Sequence, residues 1–239
     1  MKICTLCPRM CAVDRKSGER GICGQTTEIK VARAALHFWE EPCISGEMGS
    51  GAVFFSGCAL HCVFCQNENI ANGTAGKVIS TERLGEIFLE LQEKGANNIN
   101  LVTPGQFVPQ IIKAVELARN QNLKIPIVYN TSSYENVDTI RSLEGIVDIY
   151  LPDFKYFDTA LSAKYSHAPD YPAVAKAVIA EMVRQTGAAV FENGEDSLMK
   201  RGTIVRHLIL PGCTKDSKAV LKYLHETYAV SYTHLRAHE

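Results

Sequence analysis

Three of the nine cysteines stand close together in "FFSGCALHCVFCQN", residues 54–67, at Cys58, Cys62 and Cys65, a C-x3-C-x2-C spacing. A closed structural zinc site takes four ligands, commonly as two C-x2-C pairs. This loop supplies three thiols, with only His61 near enough in sequence to be a fourth, and His61 reads more readily as a solvent-facing filler. Three thiolates on one tight loop suit three irons of a [4Fe-4S] cube and leave the fourth iron open to a small molecule. A second group, Cys4, Cys7, Cys11 and Cys23, is a complete four-thiolate set. It suits structural zinc, a second iron-sulfur cluster, or metal binding by only some of its members. Cys43 and Cys213 stand alone and read as small buried residues.

The 239 residues are 46% hydrophobic and 21% charged, with a formal net charge of -1. That balance needs no disulfide staple and leaves no basic footprint for nucleic acid. The opening MKICTLCPRMC has no apolar leader core, and no stretch approaches the ~18 apolar residues of a membrane span. The expectation is a cytoplasmic protein with neither a membrane nor a nucleic-acid partner, whose clustered thiols are ligands or catalytic groups.

The elements that must position these thiols begin at Gly51. GAVFFS (51–56), NINLV (98–102), IPIVYN (125–130), IVDIYL (146–151) and TIVRHLIL (203–210) read as strands. Between them, Ser80 caps a helix with Leu84, Ile87, Phe88 and Leu91 on one face, and Val108, Ile111, Ile112 and Val115 repeat that spacing with Pro109 in a first turn. Further helical stretches lie near 134–143, 158–166, 172–186 and 216–227. The alternation predicts an α/β fold, a parallel sheet wrapped by helices, as a barrel or as an open doubly wound sheet. Residues 1–50 form a Cys-rich, loop-rich module held by a metal, and 51–230 form the α/β domain. The segment 231–239, SYTHLRAHE, arrives where a further strand is due and reads as a non-native tail on a shortened chain, so His234 and His238 receive no role.

With the aromatic Phe64 directly before its last cysteine, on the loop after a first strand, the C-x3-C-x2-C motif resembles the signature of radical S-adenosylmethionine (SAM) enzymes. "HFWEEPCISGEMGSGAVFFSGCALHCVFCQN" (37–67), "NINLVTPGQFVPQI" (98–111), "VDIYLPDFKY" (147–156) and "RHLILPG" (206–212) are similar to the pyruvate formate-lyase activating enzyme-like subgroup. The N-terminal CxxCPRxC is similar to that of the radical enzyme of the AmmeMemoRadiSam system, and the resemblance spans about residues 4–228. It implies a partial (β/α) barrel of five to six parallel strands with the site at their C-terminal ends. It implies a [4Fe-4S] cluster on Cys58, Cys62 and Cys65, with SAM on the unique iron and an electron from flavodoxin or ferredoxin. The resulting 5'-deoxyadenosyl radical would take hydrogen from a protein, such as a glycyl-radical enzyme, or from a small molecule, an oxidoreductase chemistry.

The resemblance also implies cofactor contacts. Phe64 would pack beside cluster and adenine. Where many members carry Gly-Gly-Glu-Pro, this chain has Thr103-Pro104-Gly105-Gln106, so Thr103 and Gln106 stand in as neutral hydrogen-bond partners. Asn130, Thr131 and Ser132 follow the third strand, Asp153 and Lys155 the fourth, and Arg206 and His207 lie in the fifth. An Asp or Ser there suits ribose hydroxyls, and Lys155 the methionyl carboxylate. Their ordinary readings are a helix cap at 130–132, a surface ion pair at Asp153 and Lys155, and a satisfied core histidine at His207. The rival function is a non-catalytic zinc-binding adaptor in which both cysteine groups are structural.

Overall fold

The computed structural model describes residues 3–193, 197–228 and 232–237. Its strands are β1 (Ile29–His37), β2 (Ser50–Phe55), β3 (Lys77–Ile79), β4 (Ile99–Val102), β5 (Ile127–Thr131), β6 (Ile149–Pro152), β7 (Val190–Phe191), β8 (Met199–Ile209) and β9 (Tyr232–Ala237). Its helices are α1 (Pro42–Ser45), α2 (Glu68–Ala71), α3 (Thr81–Glu93), α4 (Val108–Asn120), α5 (Val137–Arg141), α6 (Thr159–Ser166), α7 (Tyr171–Thr186) and α8 (Thr214–Tyr228). The sheet runs β3-β1-β2-β4-β5-β6-β8-β7, with β9 also on β8. The pairs β2–β4, β4–β5, β5–β6, β6–β8 and β8–β9 are parallel, which gives the α/β partial barrel. β1 and β3 extend one edge antiparallel. β1 lies within the stretch read as loop-rich. Of the tail 231–239, the segment 232–237 pairs with β8 as β9, while Ser231, His238 and Glu239 lie outside the described residues.

Strand alternation divides the side chains between two faces. Val53, Phe55, Ile99, Leu101, Ile127, Tyr129 and Tyr150 turn outward into one cluster with Leu84, Phe88 and Leu91 of α3 and Ile111, Val115 and Ala118 of α4. Each such buried aliphatic or aromatic side chain is worth about 2 kcal/mol. The α3 register follows from its start, where Ser80 Oγ accepts the Arg83 amide at 3.1 Å. Gly51 lets β2 approach closely, since a Cβ there would lie 2.9 Å from Asn98 O and 3.1 Å from Ala96 and Leu91. On the inner face Val128, Ile149, Leu151, Ile204 and Met199 pack with Ile44 of α1 and seal one end. The inward positions one or two steps further along each strand carry polar groups and line an open cavity.

The N-terminal cysteine module is fastened to the same end of the sheet. Cys4 N donates to Val13 O and Ala12 N to Cys4 O, closing a loop whose Met10 and Ala12 have φ of 43° and 56°. Buried Arg15 donates to Gln25 O at 3.1 Å, to Gln106 O at 2.8 Å and to Thr26 O. Asn136 and Thr139 donate to Thr5 O and Leu6 O at 2.6 and 2.8 Å.

Candidate active site

A cavity of about 510 Å3 opens at the C-terminal ends of the parallel strands, the position where such sheets place their sites. Cys58, Cys62 and Cys65 enter it from the loop after β2, where the end of pairing with β4 frees the chain. His61, φ 50°, shapes the loop's turn, and its Nε2 lies 2.9 Å from Ile22 O of the N-terminal module. Leu60 N donates to Cys58 Sγ at 3.4 Å and Ser166 Oγ to Cys62 Sγ at 3.0 Å. Burial pushes the Cys58 thiol up to about 11, against the His61 and Leu60 amides and with Cys62 and Cys65 adding to the rise. Burial also raises Cys65. Unaided, Cys58 and Cys65 hold their protons, and a cationic metal is what converts such donors to thiolates. Soft sulfur donors on one wall of a roomy cavity fit an iron-sulfur cluster. Among the described residues, no three His, Cys, Asp or Glu side chains close around a single point fit for one metal ion.

Opposite the thiols runs a chain of charges. Asp153 Oδ1 lies 2.9 Å from both Nε and Nη2 of Arg206, and Asp153 Oδ2 accepts Lys155 Nζ at 2.7 Å. Arg206 Nη1 donates to Glu40 Oε1 at 3.1 Å and Nη2 to Asn130 Oδ1 at 2.6 Å. Glu40 Oε2 accepts Asn100 and Asn130 amides at 2.9 and 3.1 Å. Burial drives the Asp153 carboxyl upward, but Arg206 and Lys155 outweigh it and hold the group below the ordinary carboxylate value. Lys155 and Arg206, penalised by burial, are raised by their acidic neighbours, Asp153 first. Asp153, Lys155 and Arg206 are therefore charged near neutral pH. The Asp153 and Lys155 side chains are only 22% and 15% exposed, so theirs is a buried pair rather than a surface one. Tyr171 of α7 fixes the two strand ends, its hydroxyl 2.9 Å from Ser132 O and 2.8 Å from Asp153 O while accepting the Lys155 amide at 2.9 Å.

Phe64, Thr103, Asn130, Thr131, Ser132, Asp153 and Lys155 line this cavity with the thiols. Phe64 meets Tyr156 and Tyr165 edge-on at 6.4 Å. Thr103 is in the left-handed region at φ 54°. The Gln106 amide instead faces Ser56 O, Gly57 O and Thr103 O at 2.9 to 3.1 Å and ties the loops after β2 and β4 together. His207 also borders the cavity, yet Phe154 O and Ser217 Oγ occupy its nitrogens at 2.7 and 2.9 Å, the pattern of a satisfied core histidine. Glu40 and Tyr171 were not legible as residues that build the site. The usable signal for Glu40 was Asn100 and Asn130, inward polar positions in otherwise apolar strands, which demand a buried partner.

An α/β sheet with a three-thiol loop at its strand ends defines a class of metallocluster enzymes, and the sequence comparisons agree. The radical SAM superfamily profile matches residues 52–224, and the chain belongs to that superfamily. Its members are generally enzymes, its domain implies a [4Fe-4S] cluster and SAM, and such enzymes need an electron donor. The chain is also 27% identical over 217 residues to an uncharacterized protein of Methanocaldococcus jannaschii, covering 88% of this chain and 57% of that protein. It thus spans little more than half the length of this curated relative. No helix among the described residues is long and apolar enough to cross a membrane.

Proposed function

We propose that Cys58, Cys62 and Cys65 hold the [4Fe-4S] cluster and that SAM occupies the cavity beside them. The observation that carries this reading is the single cavity in which the three thiols face Asn130, Ser132, Asp153 and Lys155 across the strand ends. When bound, cluster and SAM supply a one-electron reductive cleavage and a radical that takes a hydrogen atom from substrate. The chain's residues supply orientation. Lys155 offers a cation to the methionyl carboxylate, while Asn130 and Asp153, fixed by Arg206, present acceptors to hydroxyls. Phe64, backed by Tyr156 and Tyr165, excludes water beside the thiols. Trp39, 83% exposed on the cavity rim, offers a flat apolar contact to an incoming substrate.

The motif resemblances support the activating-enzyme-like subgroup, with flavodoxin or ferredoxin as donor. The substrate is a protein segment, as for a glycyl-radical enzyme, or a small molecule. Membership of the superfamily does not favour the zinc adaptor. The test is anaerobic reconstitution followed by reduction with SAM. The expected product is 5'-deoxyadenosine, lost at least about 100-fold in Cys62→Ala together with the iron and sulfide held by this loop. A fully loaded chain that releases no 5'-deoxyadenosine under strong reduction would refute the proposal.

A further inference from the structure

The second cysteine group has no part in that reading, yet the fold gathers it. Cys4, Cys7, Cys11 and Cys23 line a separate small cavity directly behind the first thiol loop, and Cys58 and Thr103 form a wall common to both cavities. No disulfide joins any of them. Backbone amides point at their sulfurs. Ile22 N donates to Cys11 Sγ at 3.3 Å, and the amides of Arg9 and Gln25 are turned toward Cys7 and Cys23. The Arg15 guanidinium stands 4.0 Å from Cys4 Sγ.

The same arrangement recurs on the first loop, where the amides of Leu60 and Asn67 address Cys58 and Cys65. At Cys7, Cys23, Cys58 and Cys65 the donor is the residue two places on. An amide aimed at sulfur is of little use to a neutral thiol, a weak acceptor, and of much use to a thiolate. The loop is also built tightly about these atoms. Gly21 passes so close that a Cβ there would lie 3.0 Å from Cys11 Sγ, and Met10 and Ala12 adopt left-handed backbone to turn the chain around the group.

Four cysteine sulfurs gathered on one cavity, with amides and a guanidinium turned toward them, suit a cation that would convert them to thiolates. A lone tetrahedral zinc draws its sulfurs to about 2.3 Å, whereas a cube presents a different iron to each thiolate and takes them spread around its faces. The four thiols line one cavity, and among the described residues no three of them close on a point fit for a single metal ion. We propose that Cys4, Cys7, Cys11 and Cys23 hold a second, fully thiolate-ligated iron-sulfur cluster.

The test is reciprocal and uses the whole chain, reconstituted anaerobically with iron and sulfide. The unaltered chain should carry about eight iron and about eight sulfide, and the Cys58→Ala, Cys62→Ala, Cys65→Ala chain about half of each. The Cys7→Ser, Cys11→Ser chain should also keep about half, and its remaining cluster should still change its electron paramagnetic resonance signal on adding SAM. The triple-alanine cluster should be indifferent to SAM. Zinc in place of iron in the triple-alanine chain, or no metal there, overturns the proposal, as does an unchanged iron content in the Cys7, Cys11 variant. Loss of all iron from both variants counts against it as well. Failure of the SAM reading is separate, since that reading falls on the missing response of the first cluster and this one on the metal left behind.

Discussion

Glu135 is a carboxylate held where water does not reach, accepting the Thr131 hydroxyl at 2.8 Å and lying 3.4 Å from the Tyr129 hydroxyl. Burial is the larger effect and lifts its pKa from 4.5 to about 7, against those two hydrogen bonds. The folded state therefore grips the proton more firmly than the unfolded chain. The contribution of Glu135 to stability is full below about pH 4.5 and falls as pH rises to about 7, by about 3 kcal/mol. Glu135→Gln should flatten that slope and leave the protein more stable than the parent above pH 7, read as urea midpoints across pH 5 to 8. Arg206 is the opposite case, a cation whose removal takes away the charge that Glu40 and Asp153 share. Arg206→Leu should cost about 3 to 5 kcal/mol in urea unfolding. The sequence showed the thiols because short cysteine spacings are rare and chemically narrow. It did not show Glu40, because the first of two consecutive glutamates before Pro42 looks like any surface acid until two inward asparagines converge on it.

Among the elements, the parallel strands and their helices were legible because each is buried on a fixed period. α3 illustrates this, with its cap at Ser80 and its apolar face at Leu84, Phe88 and Leu91. Ser80→Ala should remove about 1 kcal/mol, measured as a lower thermal midpoint with unchanged iron content. β1 escaped notice because it carries Lys30 and Arg33, has exposed positions along its length and breaks register between Val31 and Arg33, and so lacks a continuous apolar run. β3 and β7, of three and two residues, are too short for any pattern. The loops after the strands were read by position alone. Thr103 and Ser133 show what that misses, since both take left-handed backbone, φ 54° and 63°, at the ends of β4 and β5. Non-glycine residues hold such angles only where surrounding structure enforces them.

At the scale of the molecule, the N-terminal module is joined to the site by polar contacts more than by core packing. Arg9 donates to Ala59 O at 2.8 Å, His167 O at 2.6 Å and Ser166 O at 3.0 Å, and its guanidinium lies 5.1 Å from the Tyr134 ring centre. One side chain thus spans the thiol loop, the end of α6 and the loop after β5. Arg9→Ala should speed proteolytic cutting within residues 12–28 several-fold while far-ultraviolet dichroism stays unchanged, because local opening is governed by few contacts. The consequence of the Arg9 clasp is a matter of lifetimes. Each release of the clasp widens the path of air to sulfur behind the loop, so Arg9→Ala should shorten the half-life in oxygen of whatever the thiols hold, although no ligand has been changed.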